Sequence, residues 1–284
     1  AVTGSSGSTY GMGTAFTGSG DYVVAAYGGS TVAFTQGGSV ANTGSGVAIQ
    51  AGIAGSTGTV TIEKGTFTST SGTSIAVVGE STFTIKGGAF SDAEGKKDGF
   101  TVDENLFFVK DANSESATYG LYVLTNSAAA QNTTTGEAYA SLADAIAEAT
   151  AGNTITLLDN VALTETVNID KNLTIDLNGK NITATDARAL WVKSGEVAIT
   201  GEGTISSTAT EGSGFADSSS VIRVGDSATN ETAAKLTIGA NVTVSSDHCY
   251  GVTVFGKNTA ANELVVNGKV LVTGTACAIS GNGS

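Results

Sequence analysis

The side chains best equipped for chemistry are few in this chain. A single histidine, His248, stands between Asp247 and Cys249 in the segment SSDHCYG. An acid, an imidazole and a thiol are the parts of a nucleophilic triad. Adjacent residues on a strand face opposite ways, however, so contiguity separates these groups instead of joining them. Cys249 and Cys277 lie 28 residues apart and form neither a disulfide framework nor a zinc site. A bridge between them stays open as an option, although their places in the repeat described below differ by about three residues and Cys277 falls at an inward position. The acidic turn SDAEGKKDG (91–99) matches no EF-hand loop and no Gly/Asp nonapeptide array. A solvated loop is expected there, with no cofactor, although a structural calcium ion would suit such a turn.

Two further groups stand out by rarity. Trp191 is the only tryptophan, and Arg188 and Arg223 are the only arginines. Trp191 and Arg223 fall at outward positions of successive repeats, about 5 Å apart if those repeats stack. An indole beside a guanidinium would make a platform for a sugar ring or a partner loop, so this pair is the candidate ligand-binding site. The competing expectation is that the long insertion 206–220 folds over Trp191.

The elements that position these groups come from an internal repeat. VAFTQGGSV (32–40), VTIEKGTF (60–67), FTIKGGAF (83–90), VAITGEGTI (197–205), LTIGANVTV (236–244) and LVVNGKVLV (264–272) share one pattern of alternating apolar residues, a Gly/Asn turn and a second alternating stretch. Another short strand precedes most of them, such as YVVAAYG (22–28), ALWVKSG (189–195) and VIRVGDS (221–227). Each unit therefore reads as three strands, the size of one coil of a parallel β-helix. Period-two alternation turns Val32/Phe34, Val60/Ile62, Phe83/Ile85, Val197/Ile199, Leu236/Ile238 and Leu264/Val266 inward as stacked columns. The expected fold is all-β, a right-handed parallel β-helix. An antiparallel sandwich also has many short strands, but its hairpins need no repeated length.

Read outward, the first strands give Ala48, Ala76, Trp191, Arg223, Thr253 and Ala278. The second strands give Thr61, Thr84, Asp176, Ala198, Thr237 and Val265. Polysaccharide lyases and glycosidases need acids on neighbouring coils. Neither column sets two acids side by side, so no catalytic residue is assigned and a non-enzymatic protein is expected. Outward pairs such as Thr59/Thr61 and Thr82/Thr84 also resemble flat ice-binding faces, but they do not extend through the second half.

Composition narrows the partners. The net charge of −13 leaves no basic stripe for nucleic acid and disfavours anionic membrane surfaces. No run of about 18 apolar residues is present to span a bilayer. Proline is absent, in keeping with a chain made mostly of paired strands.

The repeat breaks between about residues 91 and 153. LFFVK (106–110) and YGLYVL (119–124) read as an antiparallel hairpin, and Phe90, Phe100, Phe107, Phe108, Tyr119 and Tyr122 gather there to cover an open coil. SAAAQNTTTGE (127–137) reads as a flexible linker. A capping helix over 141–151 follows, with Ser141 and Asp144 as its capping box, Leu142, Ala145, Ile146 and Ala149 as its apolar stripe and Gly152 as its stop. The expected domains are 1–126, a first β-helix module truncated at its N-terminal end, and 127–284, a second truncated at its C-terminal end. Both chain ends fall in mid-coil, so further modules of the same chain, or identical subunits stacked end to end, are the expected neighbours.

The run YASLADAIAEATAGNTITLLDNVALTETVNIDKNLTIDLNGKNIT (139–183) resembles the opening of pectate-lyase-like right-handed β-helix modules of large cell-surface proteins from gut anaerobes. KGGAFSD, FTVDENLFFVKD and YGLYVL (86–124) resemble the way such modules end. The resemblance implies an extracellular, surface-displayed or secreted location and a role as adhesin, stalk or fibre that binds glycans or host ligands. The family also contains enzymes, so a carbohydrate-active protein, or its non-catalytic module, is the alternative.

Overall fold

The computed structural model describes residues 2–3, 9–11, 13–92, 99–103, 105–210, 220–225, 233–255 and 261–282. Most of the acidic turn 91–99 and the centre of the 206–220 insertion lie outside the described residues. The chain divides into two compact units, Ala1–Ser127 and Ala128–Ser284. It is all-β, with a single helix among the described residues.

In the first unit, successive strands are dealt in rotation to three ladders, and every pairing between successive strands of a ladder is parallel until the cap. One ladder holds Val2–Thr3, Tyr22–Ala26, Val47–Ala51 and Ile75–Val77. The next holds Thr9–Gly11, Thr31–Phe34, Thr59–Ile62, Thr82–Ile85 and Phe100–Val102. The third holds Ala15–Gly18, Ser39–Asn42, Thr66–Ser69 and Ala89–Phe90. Three consecutive strands make one coil, and each coil buries its apolar face only against its neighbours. Val32, Val60 and Phe83 are register partners, as are Phe34, Ile62 and Ile85, and all six are fully buried.

The third ladder ends in the hairpin cap. Tyr122–Thr125 pairs antiparallel with Ala89–Phe90 and with Phe107–Lys110. The cap carries the aromatic column onward, because the Phe108 ring lies 5.5 Å from Phe90, which itself stacks at 5.4 Å on Phe67. Tyr119 is not part of this cluster: it is 59% exposed, because it sits in the connecting loop and not on the strand. In that loop the Ser116 and Thr118 hydroxyls and the Asn113 amide hold the Asp111 carboxyl below its ordinary pKa.

The second unit opens on a hairpin where the sequence suggests a linker. Ala130–Asn132 pairs antiparallel with Glu137–Tyr139 and with Asn153–Leu157. Buried Asn132 closes the turn, accepting from the backbone N–H groups of Thr134 and Thr135 and donating to Asn153 Oδ1 at 2.8 Å. The helix spans Leu142–Glu148, shorter than the expected 141–151. Ser141 caps its start as expected, accepting from the Asp144 N–H. Its end is set by the next coil, since Lys171 Nζ donates to the carbonyls of Ile146, Ala147 and Ala149 at 3.2–3.3 Å. Gly152, at φ +88°, serves the turn that follows.

Three parallel ladders then repeat the rotation. The first holds Asn153–Leu157, Leu173–Asp176, Gly195–Thr200, Ala234–Ile238 and Glu263–Val266. The second holds Val161–Leu163, Ile182–Ala184, Gly203–Ser207, Val242–Ser246 and Lys269–Val272. The third holds Val167–Ile169, Leu190–Val192, Ser220–Val224, Tyr250–Phe255 and Ile279–Asn282. Ile155, Ile175, Ile199 and Ile238 stack as one fully buried column.

Candidate functional site

The ladder pairs Trp191 with Asn168 on one side and with Arg223 on the other. Its strand neighbours Leu190 and Val192 point into the core and are fully buried, which turns the indole to the outer wall. The ring is half-buried there, and its Nε1 donates to the Gly225 carbonyl at 2.8 Å. Arg223 Cζ and Lys193 Nζ each lie 4.5 Å from the ring centroid, and Arg188 Cζ lies 5.6 Å away. Arg223 also lies 4.0 Å from the Phe255 ring, so the guanidinium packs against two aromatic faces. Arg188 Nε donates to Ser220 Oγ at 3.3 Å, and that hydroxyl shares a 2.9 Å hydrogen bond with Thr253.

The structure therefore brings Trp191 and Arg223 together, but not as an open pair. Arg223 is only 3% exposed and Arg188 only 2%. An outward position on an isolated strand becomes an enclosed one when aromatic rings stand on either side of it. Lys193 and Phe255 are missing from the sequence reading, although a period-two reading carries a signal for both. Lys193 is two residues beyond Trp191 on the same face, and Phe255 is two beyond Thr253, the ladder partner of Arg223.

Both guanidiniums and one lysine of an acidic chain thus converge on its only tryptophan. Their positive charge against the electron-rich ring faces makes the stack cohesive, on the order of 1–2 kcal/mol per desolvated contact. Arg223→Ala is expected to cost the second unit about 2 kcal/mol and to move the tryptophan emission to longer wavelength as water reaches the ring. Fluorescence-monitored urea unfolding checks both, and an unshifted emission maximum would show that Arg223 does not shield the indole.

The outward columns differ in detail from the sequence reading. Ladder register puts Gln50, not Ala48, beside Ala76; Thr174, not Asp176, beside Ala198; and Ser280, not Ala278, beside Thr253. Each difference is two residues, so the same face stays outward and only the register slides along it; Ala48, on the face of Gln50, is itself buried. His248 is exposed and Cys249 buried against Ser246 Oγ at 3.1 Å, which keeps the two apart. Asp247 accepts from Thr273 Oγ1 at 2.7 Å. Both cysteines are free, and Cys277 is exposed instead of inward. Among the described residues no three His, Cys, Asp or Glu side chains gather as a metal site, and no described helix is long and apolar enough to cross a membrane.

No family model, curated protein or solved structure matches this chain.

Proposed function

We propose that the chain folds as a right-handed parallel β-helix and serves as a non-enzymatic, extracellular surface or fibre protein, built from modules like the pectate-lyase-like ones of gut-anaerobe surface proteins. The observation that carries this reading is the rotation of strands through three parallel ladders, with one aliphatic or aromatic column per inward position. Such a stack is stabilised by nearest neighbours, so coils add length without a new core. That suits a stalk which projects binding surface from a cell, with the half-buried Trp191 stack as one docking point for a glycan or host ligand.

The last described coil leaves Val266, Leu271 and Ile279 exposed at 36%, 50% and 49%. A coil of an identical subunit stacked on this one would cover Val266 and Ile279, which continue the buried Ile238 and Val252 columns, whereas Leu271 stands on the outer wall beside Ser245. Two measurements test the proposal together. The purified chain, incubated with pectin, alginate and host glycans, is expected to release no reducing ends and no unsaturated sugar. Measured release would instead establish the carbohydrate-active alternative. Sizing across a range of concentrations tests the stacking of identical subunits: growth with concentration supports it, and a constant monomer excludes it.

A further inference from the structure

On the second ladder of the second unit lies a groove of about 550 Å³, away from the Trp191 stack. The register Ile182 to Ile205, Thr204 to Thr243 and Thr243 to Lys269 places Asn181, Thr204, Thr243 and Lys269 in one column, one coil apart. Pairing of Gly203 with Val242 sets Glu202 beside Asn241 in the adjoining column. At about 4.8 Å per coil, the longer column spans roughly 14 Å along the stacking direction. Gly203 lets this coil lie directly on the one before, because a Cβ there would meet the Lys180 carbonyl and come within 2.9 Å of the Cβ of buried Leu177.

Unspent hydrogen-bonding capacity distinguishes this surface. Many asparagines elsewhere are tied to the backbone, as at Asn42, Asn132, Asn178 and Asn262, whereas here several polar side chains with spare capacity stand together. Asn181 Oδ1 accepts from the Thr204 N–H at 2.9 Å, which fixes the amide and leaves its own N–H groups to the exposed side. Glu202, Asn241 and Lys269 are exposed, and their side chains, like the hydroxyls of Thr204 and Thr243, have no partner among the described residues. One carboxylate and one ammonium balance, so the groove is neutral, elongated and dense in donors and acceptors.

We infer that this groove binds a neutral, linear oligosaccharide lying along the stack. A chain of hydroxyl-bearing rings offers a donor or acceptor at short, regular intervals, which is what a column repeated coil by coil can meet. The groove lacks an aromatic platform, so affinity rests on hydrogen bonds of about 0.5–1.5 kcal/mol each against the cost of association. A Kd on the order of 1 mM follows. This binding does not depend on the chain being a stalk, and it is separate from any role of Trp191.

The test is an NMR titration of the whole chain with linear trisaccharides of β-1,4-linked glucose, β-1,4-linked xylose and α-1,4-linked glucose, with trigalacturonate as the acidic comparator. At least one neutral trisaccharide is expected to shift resonances of the groove. Asn241→Ala/Thr243→Val should weaken it about tenfold, the loss of one to two hydrogen bonds. Lys269→Ala, a change at an exposed side chain, should weaken it in the same direction, whereas Glu165→Ala, at an exposed residue outside the groove, should leave it unchanged. The inference is overturned if no neutral trisaccharide shifts the groove at about 10 mM, if trigalacturonate binds better, or if neither groove variant weakens the effect. Sugar release in the enzymatic assay bears on the proposed function and leaves this titration untouched.

Discussion

Replacement of Phe67 by alanine is expected to destabilise the first unit by about 4 kcal/mol while leaving the second at its original midpoint. Phe67 is fully buried, meets the edge of Phe34 at 5.0 Å and stacks on Phe90 at 5.4 Å. Phe90 in turn meets Phe108 of the hairpin cap at 5.5 Å. Truncation therefore removes an inner ring of a four-ring chain of contacts, leaves a cavity that ladders on either side cannot close, and loosens the packing beneath the cap. Each lost ring pair adds about 0.5–1.5 kcal/mol to the burial loss. The core clusters of the two units share no residue, so the damage is expected to stay in the first.

Two probes separate the units. The only tryptophan is in the second, so its fluorescence follows that unit alone, whereas far-ultraviolet circular dichroism follows both. With a slope of roughly 2 kcal/mol per molar urea, the first-unit transition should fall by about 2 M. The fluorescence midpoint should not move. Equal displacement of both signals would mean that the units unfold as one.

The inward half of this fold is readable in the sequence, because a column needs only period-two alternation and a repeated length. Val60, Ile62, Phe83 and Ile85 could be stacked on paper, and they stack in the structure. The outward half is less readable, because alternation fixes which face a residue takes but not which residue of the next coil lies beside it, so that Gln50 and not Ala48 meets Ala76. SAAAQNTTTGE has the composition of a linker, yet one asparagine side chain supplies the turn bonds that make it a hairpin. The stack around Trp191 was half legible. Strand parity placed Trp191 and Arg223 together, but charge alone argued for solvent, and only the rings on both sides of the guanidinium show why it is buried. The polar groove was not legible, since it depends on which of many asparagines and threonines the backbone has left unused.

The same distinction between side chain and backbone decides the effect of Gly46→Ala, expected to cost the first unit about 3–4 kcal/mol. Gly46 occupies a corner where one coil lies directly on the backbone of the coil before. An added Cβ would run into the carbonyls of Gly20 and Asp21. Those atoms cannot rotate away, because the Asp21 carbonyl accepts from Val47 N at 2.9 Å and the Gly20 carbonyl accepts from Asn42 Nδ2 at 2.7 Å. Relief requires the coils to part, with overpacking of roughly 1–3 kcal/mol and about 1 kcal/mol for each bond broken. Gly20, in the facing corner, is the control. A Cβ there meets only the Tyr22 carbonyl, at 3.7 Å, so Gly20→Ala should be neutral or stabilising by about 0.5 kcal/mol through the unfolded chain. Circular dichroism melts of the two variants against the parent check this. Equal losses at both positions would mean that chain stiffness, and not the approach of successive coils, fixes glycine at these corners.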